Sequence, residues 1–424
     1  MQTAIDEIKV KGELARKGAR KLAVVTGAVK NQALLNIADA LISRQSEILE
    51  ANGKDCAAGA ESGLDESFLD RLLITPERLE GMASDVRNVA MLADPVGETI
   101  EMRTMPNGLQ VGRRRVPLGV IGVIYESRPN VTIDISVLCL KSGNAVILRG
   151  GKEAINSNTT LGNLVREAIA EAGVPREAVQ IIESTDRSLV GRMLKAKDVI
   201  DLLIPRGGQA LINRVADEAA MPAITGGVGV CHTYVDKAAD LESAVQIVNN
   251  AKVTRPSVCN ALDTAIVHSE IAPVFLPRLA ALWKDMGVEM RCDTRALTIL
   301  GPVANATIIP ATEEDWSTEH LSLRAGVRVV DSMDEALEHI ETYGSGHSEA
   351  IVTEDYSAAT RFLNEVDAAA VFVNASTRFN DGAQFGLGAE VAISTNKMHA
   401  RGPMGLRELT SYKWVVTGTG QIRE

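Results

Sequence analysis

Residues 119–152 read GVIGVIYESRPNVTIDISVLCLKSGNAVILRGGK. An apolar run, VIGVIY, is stopped by the polar turn Ser127-Arg128-Pro129-Asn130; a helically spaced segment follows, and a second apolar run, AVILR, ends in Gly150-Gly151. Two short apolar runs joined by a helical crossover form a βαβ unit, and a parallel strand pair needs such a crossover. The same alternation continues through VQIIES, VIDLLIPRG and PAITGG. It restarts after Gly226-Gly227 with VCHTYVD, ALDTAIVH, SEAIVTE and AAAVFVNAS, separated by helical patterns near 240–251, 270–286 and 333–343. The expected fold class is α/β, with two parallel-sheet domains.

Working outward, residues 4–92 read as successive amphipathic helices, as in QALLNIADALISRQSEILEAN at 32–52. In TIEMRTMPNGLQVGRRRVP, residues 99–117, Asn107-Gly108 sits between two alternating segments, a hairpin signal. ELTSYKWVVTG near the C-terminus alternates like a strand and has two candidate partners, the 99–117 arm or a neighbouring subunit. Unpaired strand edges favour association, so a homo-oligomer is expected. The expected division is a cofactor-binding domain over 1–228 with the 99–117 arm inserted, a catalytic domain over 229–372, and a return over 373–424 that ends in an oligomerisation strand.

Composition narrows the function classes. Acidic residues outnumber basic ones 55 to 44, for a net charge of −11, so the overall field repels nucleic acid and anionic membrane. No stretch of about 18 uninterrupted apolar residues occurs and the N-terminus carries no secretory pattern, which makes a cytoplasmic protein the expectation. The five cysteines are scattered, with no CxxC or Cys/His spacing, which indicates neither a disulfide framework nor a metal site.

Each thiol is therefore core or reagent. Cys139 and Cys231 have apolar neighbours and read as packing. Cys259, in RPSVCNA, follows a Pro256-Ser257 turn and has Lys252 and Arg255 close in sequence, a setting that favours the thiolate. Packing at the start of a buried strand is the competing reading. Asn130 reads either as a turn or N-cap residue or as an amide donor to an oxyanion. Arg149, at the end of a predicted parallel strand, is either a solvated arginine or a phosphate or ribose anchor. Gly207-Gly208 and the TGG of 225–227 fit neither G-x-G-x-x-G nor a Walker loop. His347, on a predicted loop, reads as structural. The loop after AAAVFVNAS, with Ser376, Thr377, Arg378 and Asp381, carries more hydrogen-bonding groups than packing needs.

Taken together, RRRVPLGVIGVIYESRPNVT, KSGNAVILRGGKE, LIPRGG, PAITGGVGVCH, RPSVCNA, VNASTRF, QFGLGAEVA and HARGPMGL, with VDSMDEALEHIETYGSGHSEAI at 330–351, resemble the aldehyde dehydrogenase superfamily. Within it, they resemble the gamma-glutamyl phosphate reductase (glutamate-5-semialdehyde dehydrogenase) family over nearly the whole chain. The resemblance implies an aldehyde dehydrogenase-like fold and NADPH-dependent reduction of L-glutamyl 5-phosphate to L-glutamate 5-semialdehyde in proline biosynthesis. It makes Cys259 the nucleophile and Asn130, with the Cys259 backbone N–H, the oxyanion site. Arg149, Gly150, Gly151, Lys152, Arg206, Gly207, Gly208, Thr225 and Gly226 become NADP(H) contacts. Charge logic adds Arg378 with Ser376 and Thr377 for the substrate carboxylate, Asp381 for its ammonium and Arg128 for its phosphate. An association with a glutamate kinase that supplies the labile substrate is left open.

One departure from the wider superfamily matters. Its hydrolytic members carry a glutamate as general base just before the double glycine, where this chain has Thr225. A hydrolytic aldehyde dehydrogenase and a non-catalytic scaffold are the rival readings; Thr225 counts against the first and the complete set of site residues against the second.

Overall fold

The computed structural model describes residues 2–226, 228–301 and 307–423. Sixteen strands are assigned: β1 Thr99–Thr104, β2 Gln110–Pro117, β3 Val120–Tyr125, β4 Ala145–Arg149, β5 Val179–Ile181, β6 Leu202–Arg206, β7 His232–Val235, β8 Thr264–His268, β9 Glu289–Cys292, β10 Ile308–Pro310, β11 Arg324–Val330, β12 Ser348–Val352, β13 Ala370–Val373, β14 Ile393–Ser394, β15 Gly402–Pro403 and β16 Thr410–Thr417. The chain forms two compact units, Met1–Thr225 with Gly386–Ala392 and Met404–Glu424, and Gly226–Phe385 with Ile393–Pro403.

The first unit is built on the opening stretch. β3 pairs in parallel with β4 and β6, and the sheet order is β5-β4-β3-β6. All six residues of β3 are buried, as expected for a parallel strand covered on both faces. The helix Asn130–Lys141 makes the crossover from β3 to β4, and Ile155–Glu171 follows β4. Gly162 of the latter helix permits its approach to the sheet, since a Cβ there would lie 1.5 Å from the Ile181 side chain. The segment PAITGG does not form a strand. It makes a single bridge, Ala223 to Leu203, beside β6, and Gly227 lies outside the described residues. Pro222 and the adjoining glycines supply few of the backbone donors and side chains that a strand needs.

Asn144 ties this unit together. Its carbonyl accepts from Gly119 N–H at 2.8 Å, while its amide donates to Ser142 Oγ and to the Leu409 carbonyl, each at 2.8 Å. The bonds join the starts of β3 and β4 to the segment before β16. The arm is a separate antiparallel sheet, β1-β2-β16, in which the C-terminal strand pairs with β2 over its full length. Its hairpin turns at Gly108, φ 87°, as Asn107-Gly108 predicts. Ile100, Met102, Tyr412, Trp414 and Val416 of this sheet are exposed.

The second unit holds a seven-stranded parallel sheet, β10-β9-β11-β8-β7-β12-β13. One apolar cluster includes Trp283, Phe275 and Val267; another includes Tyr234, Ile266 and Phe362. Polar groups are buried beside them. Glu349 Oε2 accepts from the His232 N–H at 2.9 Å and lies 2.9 Å from His232 Nδ1. Burial lowers the pKa of His347 to about 4 and that of His339 to about 2, because an imidazolium is poorly solvated there. Burial acts in the opposite sense on the Asp263 carboxyl, raising it to about 7.

Two outcomes follow. Asn144→Ala leaves the Gly119 N–H and the Leu409 carbonyl without partners and should cost about 2–4 kcal/mol, read as a lower thermal midpoint. For His347, the unfolded chain binds more protons than the native state between its unfolded pKa near 6.5 and its folded value of about 4. Its contribution to stability therefore falls as pH drops through that window. Urea titrations of wild type and His347→Gln should diverge in slope there by about 1.4 kcal/mol per pH unit; parallel slopes would show that the ring protonates freely in the native state.

Candidate active site

In the second unit, the helix Leu241–Val253 is capped by Asp240, whose side chain accepts from Ser243 N–H. The chain then turns through Pro256 to Ala261 before entering β8. Ala261 N–H bonds the Val258 carbonyl and Leu262 N–H the Ala251 carbonyl, which fixes the turn. Cys259 lies on it, half-buried, whereas Cys139, Cys231 and Cys292 are buried. Burial raises the pKa of all three of those thiols, that of Cys292 to about 12.

Gly229 passes directly against the turn. A Cβ at that position would lie 1.6 Å from the Cys259 carbonyl oxygen. Two residues on, the Cys231 thiol donates to the same oxygen at 3.1 Å. Cys231, which reads as packing, thus also supports the backbone of Cys259. Lys252 does not serve as expected. It is buried, donates to the Leu262 carbonyl at 2.7 Å and lies 3.9 Å from Asp263, because a buried ammonium requires partners of its own.

The loop after β13 supplies a further charge. Asn260, the neighbour of Cys259, donates from its amide to the carbonyls of Asn380 at 3.1 Å and Arg378 at 3.4 Å. Its side-chain carbonyl accepts from the Arg378 guanidinium, and its backbone carbonyl accepts from the Thr377 hydroxyl at 2.7 Å. Asn380 in turn donates to Ser348 Oγ at 2.8 Å. The Ser376 hydroxyl accepts from Arg378 N–H, and Asp381 accepts from Ala383 and Gln384 N–H. Burial and Arg255 lower the pKa of the Arg378 guanidinium, and the charges of Asp381 and Cys259 oppose them. Cys259, Arg378 and Asp381 therefore share one neighbourhood, while the hydroxyls of Ser376 and Thr377 are engaged within the structure. Asn380 and Gly229 were not singled out from the sequence; Asn260 was noted only as the polar neighbour of Cys259, and Cys231 only as packing. The Asn after the cysteine and the glycine spacing of TGGVGV were the signals available.

In the first unit, the C-terminal ends of β3, β4 and β6 carry a second group. Arg149 ends β4, half-buried, with its Nε lacking a hydrogen-bond partner. Burial lowers its pKa; its charged neighbours are Glu153, Arg187 and Asp186. Arg187 was not singled out from the sequence either, where it is one arginine in a polar loop. Gly150 and Gly151 let the chain pass Asn158 and Ser127, whose polar atoms would lie 2.2 and 2.3 Å from a Cβ at the two positions. Lys152 opens the short 3-10 turn Lys152–Ala154. Arg206 ends β6 exposed, Gly207 faces the Glu126 side chain, and Gly208 N–H donates to Glu126 Oε1 at 2.7 Å.

Asn130 is the first residue of its helix, Pro129 taking the N-cap position, so the capping reading does not hold. Its amide donates to Asp134 Oδ2 at 2.9 Å, one turn on. Burial raises the pKa of the Asp134 carboxyl to about 6. Arg128 is exposed on the preceding turn and Thr225 is half-buried outside any strand. Gly226, in the second unit, abuts the Ile393 carbonyl, 2.1 Å from the position of a Cβ. Among the described residues, no group of three or more His, Cys, Asp or Glu could hold a metal, and no helix is long and apolar enough to cross a membrane.

Residues 4–314 match the aldehyde dehydrogenase family. The chain is 59% identical over 423 residues to a gamma-glutamyl phosphate reductase of Dehalococcoides mccartyi, covering 100% of both chains. It is 54% identical to that of Moorella thermoacetica, covering 99% of each. The crystal structure of the gamma-glutamyl phosphate reductase of Thermotoga maritima superposes with a TM-score of 0.96 at 48% identity, over 99% of this chain and 100% of that one. The chain belongs to the aldehyde dehydrogenase family, among its gamma-glutamyl phosphate reductases.

Proposed function

We propose that this enzyme reduces L-glutamyl 5-phosphate to L-glutamate 5-semialdehyde with release of phosphate, by way of a thioester on Cys259. The observation that carries the reading is a half-buried cysteine on a turn fixed by Gly229, Cys231 and Asn260, with Arg378 as its charged neighbour. The sulfur attacks the acyl carbon, the C–S bond forms and the C–O bond to phosphate breaks. The proton lost by the thiol balances the one gained by the departing phosphate. The Cys259 N–H and the Asn130 amide stabilise the oxygen that carries charge as the carbonyl is attacked.

Bound NADPH would supply the hydride that takes the acyl carbon to the aldehyde oxidation level, and the C–S bond then breaks, the electron pair returning to the Cys259 sulfur as the aldehyde leaves. The residues of the first unit suit a dinucleotide: Arg149 presents an unpartnered buried Nε at a parallel-strand end, and glycines follow both β4 and β6. Arg149, with Arg187 near it, favours the extra phosphate of NADP(H). Gly150, Gly151, Lys152 and Arg206 to Gly208 complete the expected contacts, with Thr225 and Gly226 at the nicotinamide end. Thr225 offers no carboxylate to activate water, so the thioester persists until hydride arrives. The exposed apolar residues of the β1-β2-β16 arm suit a homo-oligomer contact. A cytoplasmic location agrees with this chemistry.

The test runs the reaction backwards. Wild type should reduce NADP with glutamate semialdehyde only when phosphate or arsenate is present, and reduce NAD more slowly; Cys259→Ala should fall to background. NADPH formation without an acceptor anion would favour the hydrolytic reading. Asn130→Ala should lower kcat by about a hundredfold or more while leaving the KM for NADP within about twofold, the signature of a lost oxyanion donor.

A further inference from the structure

We infer that Arg378, with Arg255, forms the seat of the phosphoryl group beside Cys259, and that it does not anchor the substrate carboxylate. The inference rests on the reading of Cys259 as the nucleophile toward an acyl phosphate. The Arg378 guanidinium donates to the side chain of Asn260, the residue next to the nucleophile, and Asn260 returns a bond to the Arg378 carbonyl. This reciprocal pair fixes the guanidinium at the sulfur end of the substrate. The leaving group sits there as well, because phosphate is bonded to the carbon that the sulfur attacks.

The expected carboxylate anchors are withdrawn from the surface. Thr377 commits its hydroxyl proton to the Asn260 carbonyl, and Ser376 is buried, its oxygen accepting from Arg378 N–H. Arg378 itself keeps a buried Nε without a hydrogen-bond partner, a donor suited to an oxyanion. Charge points the same way. A thiolate and a phosphoryl dianion repel each other, and Lys252 is committed to Leu262 and Asp263. Arg255, immediately before the turn that carries Cys259, adds positive charge that Arg378 feels, and like charges so gathered favour a bound anion. Asp381, the carboxylate on the same loop, accepts from Ala383 and Gln384 N–H through one oxygen and remains the acidic partner assigned to the substrate ammonium.

The experiment separates the KM for phosphate from the KM for semialdehyde in the reverse reaction of wild type, Arg378→Gln, Arg378→Lys and Arg255→Gln. Removing one charge-assisted contact from Arg378 should raise the phosphate KM by about ten- to a hundredfold, with the semialdehyde KM within about twofold. The Lys variant, which keeps the charge but loses the planar fork, should fall between, and it decides the matter if the Gln variant does not fold. A second readout needs neither NADP nor turnover: inorganic phosphate should slow alkylation of Cys259 by iodoacetamide in wild type, and Arg378→Gln should need correspondingly more phosphate. A raised semialdehyde KM with unchanged phosphate KM and unchanged protection would return Arg378 to the carboxylate and overturn the inference. If wild type itself turns over without phosphate while protection by phosphate still depends on Arg378, the proposed reaction fails and the anion seat stands.

Discussion

The side chain of Asn260 is bonded at both ends to the loop after β13. A cysteine on a bare turn between helix and strand would sample many positions. Here the residue beside it is locked to Arg378 and Asn380, and its own carbonyl is held by the Cys231 thiol. The pairing fixes where the sulfur sits and brings a guanidinium to it at the same time. Preorganisation of this kind lowers the cost of ordering the reacting groups when substrate binds.

Much of the fold was legible because it rests on local signals. VIGVIY, the helix of 130–141 and AVILR lie where apolar runs and helical spacing put them. Asn107-Gly108 specified its hairpin, and the C-terminal strand took one of its two expected partners, β2. PAITGG failed because its apolar residues imitate a strand that its proline and glycines do not sustain. The site was legible by residue type and less so by role. Of the two cations close to Cys259 in sequence, Lys252 ends a helix and is buried against Leu262 and Asp263, while Arg255 is in electrostatic reach of Arg378. Arg378 is more than a hundred positions away, and only the pairing of a helix-strand turn with a distant loop brings it to the thiol.

The second unit also shows how much polar material a parallel sheet can bury when that material is paired. His232 Nδ1 and Glu349 Oε2 pair with one another in the interior, and Asp263 accepts from His320 and Cys231 N–H. Several of these groups lie within a few residues of the nucleophile turn in space or sequence. Their desolvation is the cost of a framework rigid enough to hold Cys259, Asn260 and the Arg378 loop in register.

The pairing of β16 with β2 has a consequence for how the molecule is made. A ribosome delivers β1 and β2 early, and the strand that completes their sheet only after all of the second unit has emerged. Until then the growing polypeptide carries a half-built antiparallel ribbon with an open edge, the sort of surface that recruits the wrong strand. The cluster of arginines along β2, Arg113 to Arg115, puts charge on that ribbon during the wait, Arg113 and Arg115 facing Glu101 and Glu98 of the same hairpin. Charged side chains on an edge discourage wrong pairing.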